Sequence, residues 1–193
     1  GEGRTDLFKS ELQAVLRVIV WLAMPVATIT FFTRGYLVNF IKNGGDALMA
    51  GLLGTLAIAI LFRSIYFIAA RSFYAQQDAK TPLFISIFAI IVNIVFAVWF
   101  VMGLNMGPYG LGFAQSTVAI LEVVVLLFIM NRRIGGLIDK PLINAVGRMA
   151  SATAIMSVVC YTMVQLFQLQ NVDNSFLATF PKFVLIVAVS IGT

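Results

Sequence analysis

Long apolar runs alternate with short polar stretches along the whole chain. A helix needs about 20 mostly apolar residues to cross the hydrocarbon core of a bilayer, and six runs meet or approach that length. The predicted spans are approximately 13–32, 47–70, 83–104, 109–130, 149–167 and 176–191. The alternating pattern of a membrane β-barrel strand is absent. The pattern therefore predicts an all-α, polytopic transmembrane helix bundle, with residues 1–12 as a segment before the first span.

Several residues predict where these helices begin or bend. Ser10 and Gln13 have the spacing of a capping box, which predicts that the first helix begins at Ser10. Pro108 in "NMGPYG" and Pro82 in "KTP" stand where later helices should begin, because proline in a first turn loses only an unused donor. Pro25 lies inside the first span and predicts a kink there.

The second span carries a stripe of small residues at four-residue spacing, which predicts a close contact with another helix. The members of the stripe are Ala47, Gly51, Thr55 and Ala59.

The composition indicates a membrane protein and excludes several kinds of catalytic and metal-binding site. Of the 193 residues 61% are hydrophobic and only 11% are charged, whereas soluble domains average about 25% charged residues. The absence of histidine excludes imidazole bases, histidine metal ligands and histidine proton relays. The single Cys160 excludes a disulfide framework and a zinc cluster, and its apolar surroundings predict a buried thiol. Without a catalytic dyad or a phosphate-binding loop, the chain is not expected to be an enzyme.

The net charge of +5 is interpreted as membrane topology rather than as a nucleic-acid site. With six spans, eight basic residues fall on one side and three on the other. The first group is Arg4, Lys9, Arg71, Lys80, Arg132, Arg133, Lys140 and Arg148, and the second is Arg34, Lys42 and Lys182. The positive-inside rule therefore predicts a cytoplasmic N-terminal segment and a cytoplasmic "RSFYAQQDAKTP". We name this stretch, residues 71–82, the elbow.

Two charged residues fall well inside predicted spans. An arginine at the centre of a span costs about 3 kcal/mol on insertion scales, so Arg63 is expected to face the bundle interior or a water-filled cavity. Glu122 invites the same interpretation. The second and fourth spans run in the same direction, and at 1.5 Å per residue the two side chains differ by about 3 Å in depth. They could therefore form a structural ion pair, or a cavity-lining pair that meets a charged substrate; a snorkelling arginine is the other alternative.

Arg17 and Asn93 are weaker candidates for the cavity. Arg17 lies about one turn into the first span, where a basic side chain snorkels to the interface or meets a lipid headgroup. Asn93 lies in the middle of the third span, where it can form a helix–helix hydrogen bond or bind an ion. We favour the hydrogen bond because Ala97, and not a carboxylate, lies one turn away.

Five stretches resemble the C-terminal part of the MurJ/MviN family, which are lipid II flippases of the MOP exporter superfamily. The stretches are "LRVIVWLAMP", "RSFYAQQDAKTP", "IIVNIVF", "GPYGLGFAQS" and "NRR". The most specific is the FYA-x-x-D-x-K-T-P pattern formed by Phe73, Tyr74, Ala75, Asp78, Lys80, Thr81 and Pro82. The resemblance extends from about Leu12 to Arg133, and beyond it only the helix count agrees. "TRGYLVNFIKNGGDA" departs from the family's usual glycine-phenylalanine loop.

The resemblance implies a bacterial inner-membrane protein of fourteen helices in two lobes, of which this chain would supply the last six. The eight missing N-terminal helices would then be its partner, and the family's main cavity residues would lie there. The family moves undecaprenyl-pyrophosphate-linked peptidoglycan precursor across the membrane by alternating access, and its last two helices help to form a groove for the lipid tail. The implied partners are this lipid-linked anionic substrate and membrane lipids, with no cofactor and with the coupling cation left open.

The same resemblance gives the elbow a role as a rigid cytoplasmic connector. Asp78 would cap the next helix, and Pro82 would set its start. Arg71 and Lys80 would fix the membrane topology and contact an anionic substrate. Three alternatives stay open: another MOP exporter for lipid-linked oligosaccharides or drugs, a membrane-embedded enzyme, and a non-transporting scaffold. The enzyme would need a reactive cluster, and the sequence shows none.

Overall fold

The computed structural model describes residues 2–42, 45–167 and 176–192, and every regular element within them is a helix. In chain order the helices are α1 (Glu2–Phe32), α2 (Arg34–Ile41), α3 (Ala47–Ala75), α4 (Lys80–Val98), α5 (Tyr109–Ile134), α6 (Lys140–Leu166) and α7 (Phe176–Ile191). A π-helical turn, Trp99–Gly103, extends α4. The predicted all-α class is confirmed.

Within the described residues, five helices are long and apolar enough to cross a membrane: α1, α3, α4 with its π-helical turn, α5 and α6. They correspond to the first five predicted spans. The sixth predicted span corresponds to α7, whose apolar part, Thr179–Ile191, is shorter than a bilayer requires. That span, and the division of the chain that depends on it, stay predictions.

The predicted start of the first helix at Ser10 is wrong, because α1 already begins at Glu2. The Ser10 hydroxyl donates to the carbonyl of Leu7 inside the helix, 2.8 Å away. Gln13, the other half of the expected capping box, points its amide across the bundle to the carbonyl of Leu137, 2.8 Å away. Hydropathy marks where a helix enters lipid, and α1 continues beyond that point through polar residues. α1 is also continuous through Pro25.

The starts of α4 and α5 agree with the sequence. One carboxylate oxygen of Asp78 accepts the backbone N–H groups of Lys80 and Thr81 at 3.1 and 3.0 Å, so the predicted capping by Asp78 is confirmed. Pro108 immediately precedes α5, which begins at Tyr109. The chain reverses direction at the elbow, between α3 and α4, and again between α5 and α6. Both reversals lie at the same end of the bundle, which we call the elbow end.

Helices α3 and α5 form the tightest pair in the bundle, as the stripe of small residues predicts. A Cβ atom at Gly112 would lie only 1.8 Å from Oγ1 of Thr55. At Gly51 a Cβ atom would lie 2.3 Å from the ring of Tyr109. The hydroxyl of Ser116 donates to the backbone carbonyl of Thr55 at 2.6 Å, a contact that only close backbones allow.

An apolar core joins α1, α3 and α5 toward the elbow end. Its fully or nearly fully buried members are Leu12, Leu16, Val20, Ile65, Ala69, Ala70, Phe73, Val123, Leu126, Met130 and Leu137. By contrast α4 contacts mainly α5 and leaves most of its apolar surface exposed, including Phe88, Ile91 and Val98.

A second, smaller core holds α2 against α6 and α7 at the opposite end, around Tyr36, Cys160 and Ile186. The hydroxyl of Tyr36 donates to the carbonyl of Phe167, and the amide of Asn39 donates to the hydroxyl of Thr179 at 2.8 Å. The predicted burial of Cys160 is confirmed. The sequence analysis missed α2, because an eight-residue helix is too short to produce a membrane-span signal.

Candidate functional site

Arg63 of α3 and Glu122 of α5 meet in the middle of the bundle. Their charged groups are 3.0 Å apart between Nη1 and Oε2. Arg63 lies twelve residues before Ala75, where α3 ends, and Glu122 lies twelve residues before Ile134, where α5 ends. Both are therefore about 18 Å along the helix axis from the elbow end. The equal depth, together with the tight packing of α3 on α5, brings the two side chains together. The structure thus forms the pair that the sequence allowed.

The two partners differ strongly in exposure. The side chain of Glu122 is 4% exposed, whereas that of Arg63 is 35% exposed. The contact is ionic without the alignment of a hydrogen bond, since Oε2 of Glu122 has no hydrogen-bond partner. The guanidinium also lies over the ring of Tyr66, with Cζ 5.9 Å from the ring centroid. The buried carboxylate therefore depends on this half-exposed guanidinium as its neighbouring opposite charge.

A cavity of about 350 Å³ lies beside the ion pair, between α3, α4 and α5. Its polar lining consists of Arg63, Ser86, Asn93, Gln115 and Glu122. We name this space the polar cavity. Because its lining residues lie near the middle of three spanning helices, it offers polar groups at a depth where hydrocarbon offers none.

Hydrogen bonds join α4 to its neighbours at this cavity. The amide of Asn93 donates to the side-chain oxygen of Gln115 at 2.7 Å, which confirms the predicted helix–helix hydrogen bond. The hydroxyls of Tyr66 and Ser86 are 2.5 Å apart, and either could donate. The polar residues thus help to hold the otherwise exposed α4 against α3 and α5.

The sequence analysis missed Ser86, Gln115 and Tyr66. Uncharged polar residues are common in spans, so they gave no individual signal. Their spacing was informative, however, because Gln115 lies seven residues before Glu122 and Ser86 lies seven residues before Asn93. Two turns of helix place such pairs on one face.

An apolar pocket of about 280 Å³ adjoins the polar cavity, between α4 and α5. Phe84, Phe88 and Leu121 line its far side. Glu122, Ala89 and Val118 line both spaces. The carboxylate of Glu122 is therefore held in the wall between a polar and an apolar compartment.

Arg17 does not join this site. It is half-buried on α1, and its guanidinium interacts electrostatically with Asp139 in the turn before α6. A backbone hydrogen bond from Leu142 and the amide of Gln13 lower the pKa of Asp139, and the nearby charges of Lys9 and Arg17 lower it further. Arg17 thus interacts with a turn at the elbow end, and its snorkelling to the interface stays a prediction.

Arg133 of α5 links the elbow to the end of α5. Its guanidinium is 2.5 Å from Oδ2 of Asp78 and donates to the hydroxyl of Thr81 at 3.0 Å. It also lies over the buried ring of Phe73, 5.3 Å from the centroid. One side chain therefore ties the elbow ends of α3, α4 and α5 together.

These contacts explain the acidity of Asp78. Hydrogen bonds from the hydroxyl and backbone of Thr81, with a smaller contribution from Arg133, lower the pKa of Asp78 to about 2. Among the other elbow residues, Pro82 is buried, while Tyr74, Lys80 and Arg71 are exposed. The elbow motif therefore combines a structural junction with an exposed basic surface.

Comparison with known proteins identifies the family. The model of the family "Lipid II flippase MurJ" matches residues 1–181 of the chain. The chain belongs to the MurJ family. The match includes every residue of the polar cavity and of the elbow, and the resemblance found in the sequence is confirmed. MurJ proteins are transporters and not enzymes.

Two individual MurJ proteins show how much of the family's length is present. The probable lipid II flippase MurJ of Borreliella burgdorferi is 26% identical over 125 residues, which are 61% of this chain and 24% of that protein. A solved structure, lipid II flippase MurJ in an inward closed conformation, matches with a TM-score of 0.74 and 21% identity. The match covers 98% of this chain and 40% of the solved chain, so this chain has the fold of part of a MurJ protein.

Proposed function

We propose that this chain is the part of a lipid II flippase that forms one wall of the passage for the headgroup. The substrate is undecaprenyl-pyrophosphate-linked peptidoglycan precursor, and the membrane is the bacterial cytoplasmic membrane. The observation that carries the proposal is a polar cavity, with an accessible arginine, near the middle of three candidate membrane spans in a chain of the MurJ family.

The chemistry of the cavity suits this substrate. A pyrophosphate-sugar headgroup cannot enter hydrocarbon without polar partners, and the planar guanidinium of Arg63 can donate two parallel hydrogen bonds to a phosphate group. Asn93 and Gln115 offer amide groups, which suit the hydroxyls and amides of a sugar-peptide headgroup. The polyprenyl tail would stay in lipid, along α6 and α7.

The fold also suits alternating access between two lobes. The close packing of α3 on α5 and the Arg133 contacts at the elbow make these helices one rigid body. Rigid bodies that rock against each other around a midplane site are the common mechanism of secondary transporters. In this proposal the other body is supplied by helices outside this chain, and the elbow faces the cytoplasm.

The decisive test is depletion of the complete gene product that carries this chain, in the cells that make it. Lipid II should accumulate in the cytoplasmic leaflet, and the complete wild-type gene product should reverse the accumulation. Normal lipid II distribution after depletion would contradict the proposal, and accumulation of another lipid-linked sugar would point to a different exporter of the superfamily.

An arginine variant tests the role of the cavity. Arg63→Ala should lower lipid II transport about 10- to 100-fold, because charge-assisted hydrogen bonds contribute about 1.5–3 kcal/mol. Arg148→Ala, which removes an exposed arginine of α6 away from the cavity, is the matched control and should transport normally. Protein abundance in the membrane is measured for both. If Arg63→Ala combined with Glu122→Ala transports normally, the pair is only structural.

A further inference from the structure

A cavity that only binds an anion would not need the carboxylate of Glu122. A cavity that receives a phosphate group needs the cation of Arg63, yet Glu122 lies 3.0 Å from that cation and neutralises it. The carboxylate is 4% exposed, and its oxygen nearest Arg63 has no hydrogen-bond partner. A stable buried carboxylate usually accepts several hydrogen bonds. Here the neighbouring guanidinium of Arg63 is the main group that offsets the cost of burying the charge of Glu122.

We propose that Glu122 is a proton-binding site, and that its protonation frees Arg63 to bind an anionic group in the polar cavity. The identity of that anionic group as lipid II pyrophosphate rests on the proposed function. In the protonation step a proton from the bulk solution reaches the cavity and binds one carboxylate oxygen, and the side-chain charge changes from −1 to 0. The ion pair is then lost. Arg63, which is 35% exposed, can turn its guanidinium into the cavity.

The donor set favours a proton over a metal cation. Hard metal ions take about six or more oxygen ligands, whereas the guanidinium of Arg63 already occupies the face of this carboxylate. A second cation beside this carboxylate would be repelled by the positive charge of Arg63. A proton needs only the carboxylate itself, and binding it removes a charge.

No other described ionisable group competes for this role at the site. From α3 the groups near Glu122 are Arg63 and, beyond it, the phenol of Tyr66. From α4 they are the uncharged Ser86 and Asn93, and from α5 itself the uncharged Gln115. Protonation at the cavity in the described part of the chain therefore changes mainly the Arg63–Glu122 pair.

The mechanism predicts reciprocal coupling between proton and anion. If protonation raises the affinity of the cavity for an anion, the anion must raise the affinity of Glu122 for a proton by the same factor. A tenfold effect on anion affinity would equal one pH unit in the titration of Glu122. In a transport cycle, release of the anion would favour loss of the proton and restore the ion pair.

Infrared difference spectroscopy on the complete gene product in lipid nanodiscs tests the site without any transport assay. The spectral change between about pH 9 and about pH 4 includes every carboxyl group that titrates in that range. The signal of Glu122 is therefore the carboxylic-acid carbonyl band that wild type shows and Glu122→Gln lacks. Glu11→Gln, which changes an exposed acid on α1, is the matched control and should keep it. Inorganic pyrophosphate at constant ionic strength should increase the signal at intermediate pH, and Arg63→Gln should abolish this increase.

Because Glu122→Gln leaves Arg63 unpaired, the double variant Arg63→Gln/Glu122→Gln provides a neutral cavity in which the signal must also be lost. A signal that survives in both variants, or that pyrophosphate does not change, overturns the inference. It would not affect the flippase proposal, which rests on lipid II distribution. Conversely, a Glu122 signal that responds to pyrophosphate, in a protein whose depletion leaves lipid II normally distributed, would support the proton site and refute the flippase.

Discussion

Arg63 and Glu122 differ in their contacts and in their exposure. Arg63 has the ring of Tyr66, the carboxylate of Glu122 and an opening to the cavity, so it has several favourable positions. Glu122 is nearly inaccessible and lies against an apolar pocket on its other side. The arginine is therefore the exposed partner of the pair, and the glutamate is the buried one.

The pair could be predicted because full charges are rare in membrane spans, so two of them at equal depth are informative. The hydrogen bond of Asn93 could be predicted because a carboxamide in the middle of an apolar span favours a partner on another helix, but that partner could not, since many residues of neighbouring helices can accept one hydrogen bond. The contacts of Arg17 with the turn before α6 were not predictable, because they depend on how α1 lies against a loop more than a hundred residues away.

At the elbow, Asp78 predicts a specific response to acid. Its pKa of about 2 in the folded protein lies below the usual value of about 3.9 for an unfolded chain. The carboxylate therefore contributes stability above about pH 4, and this contribution is lost as the pH falls toward 2. Asp78→Asn should lower the melting temperature by a few degrees at neutral pH, and the difference from wild type should shrink below about pH 4.

The measurement is thermal unfolding of the purified protein in detergent, between about pH 7 and about pH 2. Tyr74→Phe changes an exposed residue of the same motif, and its curve should follow that of wild type at each pH. A constant difference between Asp78→Asn and wild type throughout this range would show that the Asp78 contacts do not account for its acidity.

Among the helices, the close approach of α3 to α5 determines the position of the cavity. Arg63 and Glu122 come from these two helices, so a shift of one along the other would separate the charges. Gly112 and Thr55 fix the approach, since nothing larger than a hydrogen atom fits at Gly112. The small-residue stripe on α3 was visible in the sequence, but its partner on α5 was not identified.

Gly112→Ala should destabilise the protein by about 1–3 kcal/mol, because the new methyl group would overlap the Thr55 hydroxyl. Adding Thr55→Gly should recover part of this loss. The matched control is Gly147→Ala, where a Cβ atom has open space, and which should be neutral or stabilising by up to about 1 kcal/mol. Free energies of unfolding in mixed micelles test the prediction, and equal values for the two alanine variants would contradict it.

The helix ends show which part of the fold hydropathy can predict. All five long helices were located, because each contains a continuous apolar run. Their ends were less accurate: α1 begins eleven residues before the predicted first span, and α6 begins at Lys140 instead of 149. The true start of α6 is set by Asp139, whose side chain accepts the backbone N–H of Leu142. Such local capping is independent of the lipid boundary.

In the molecule as a whole, basic residues are distributed unequally between the two ends. Lys9, Lys80, Arg132 and Arg133 lie near the elbow end, together with the exposed Arg71. Arg34 and Lys42 lie at the opposite end, near α2. If the membrane crosses the five long helices, the positive-inside rule places the elbow end in the cytoplasm. The flippase proposal depends on this orientation, since it takes the precursor from the cytoplasmic leaflet.

Cysteine labelling tests the orientation directly, because the chain has only one native cysteine, which is buried. In the complete gene product with Cys160 and every other native cysteine replaced by alanine, Ala79→Cys marks the elbow, and Ile41→Cys marks the opposite end, where Ile41 is 85% exposed. An impermeant maleimide applied to spheroplasts of cells making the complete gene product should label Ile41→Cys and leave Ala79→Cys unmodified. Inverted membrane vesicles should give the reverse result.

This comparison distinguishes orientation from simple accessibility, because each variant serves as the control for the other. If neither cysteine reacts from either side, denatured samples will show whether the thiols are intact. Labelling of Ala79→Cys in sealed spheroplasts would place the elbow outside. Arg133, Asp78 and the exposed bases would then face away from the site of precursor synthesis. The anion would have to enter the polar cavity from the α2 end, and the proposed direction of transport would be wrong.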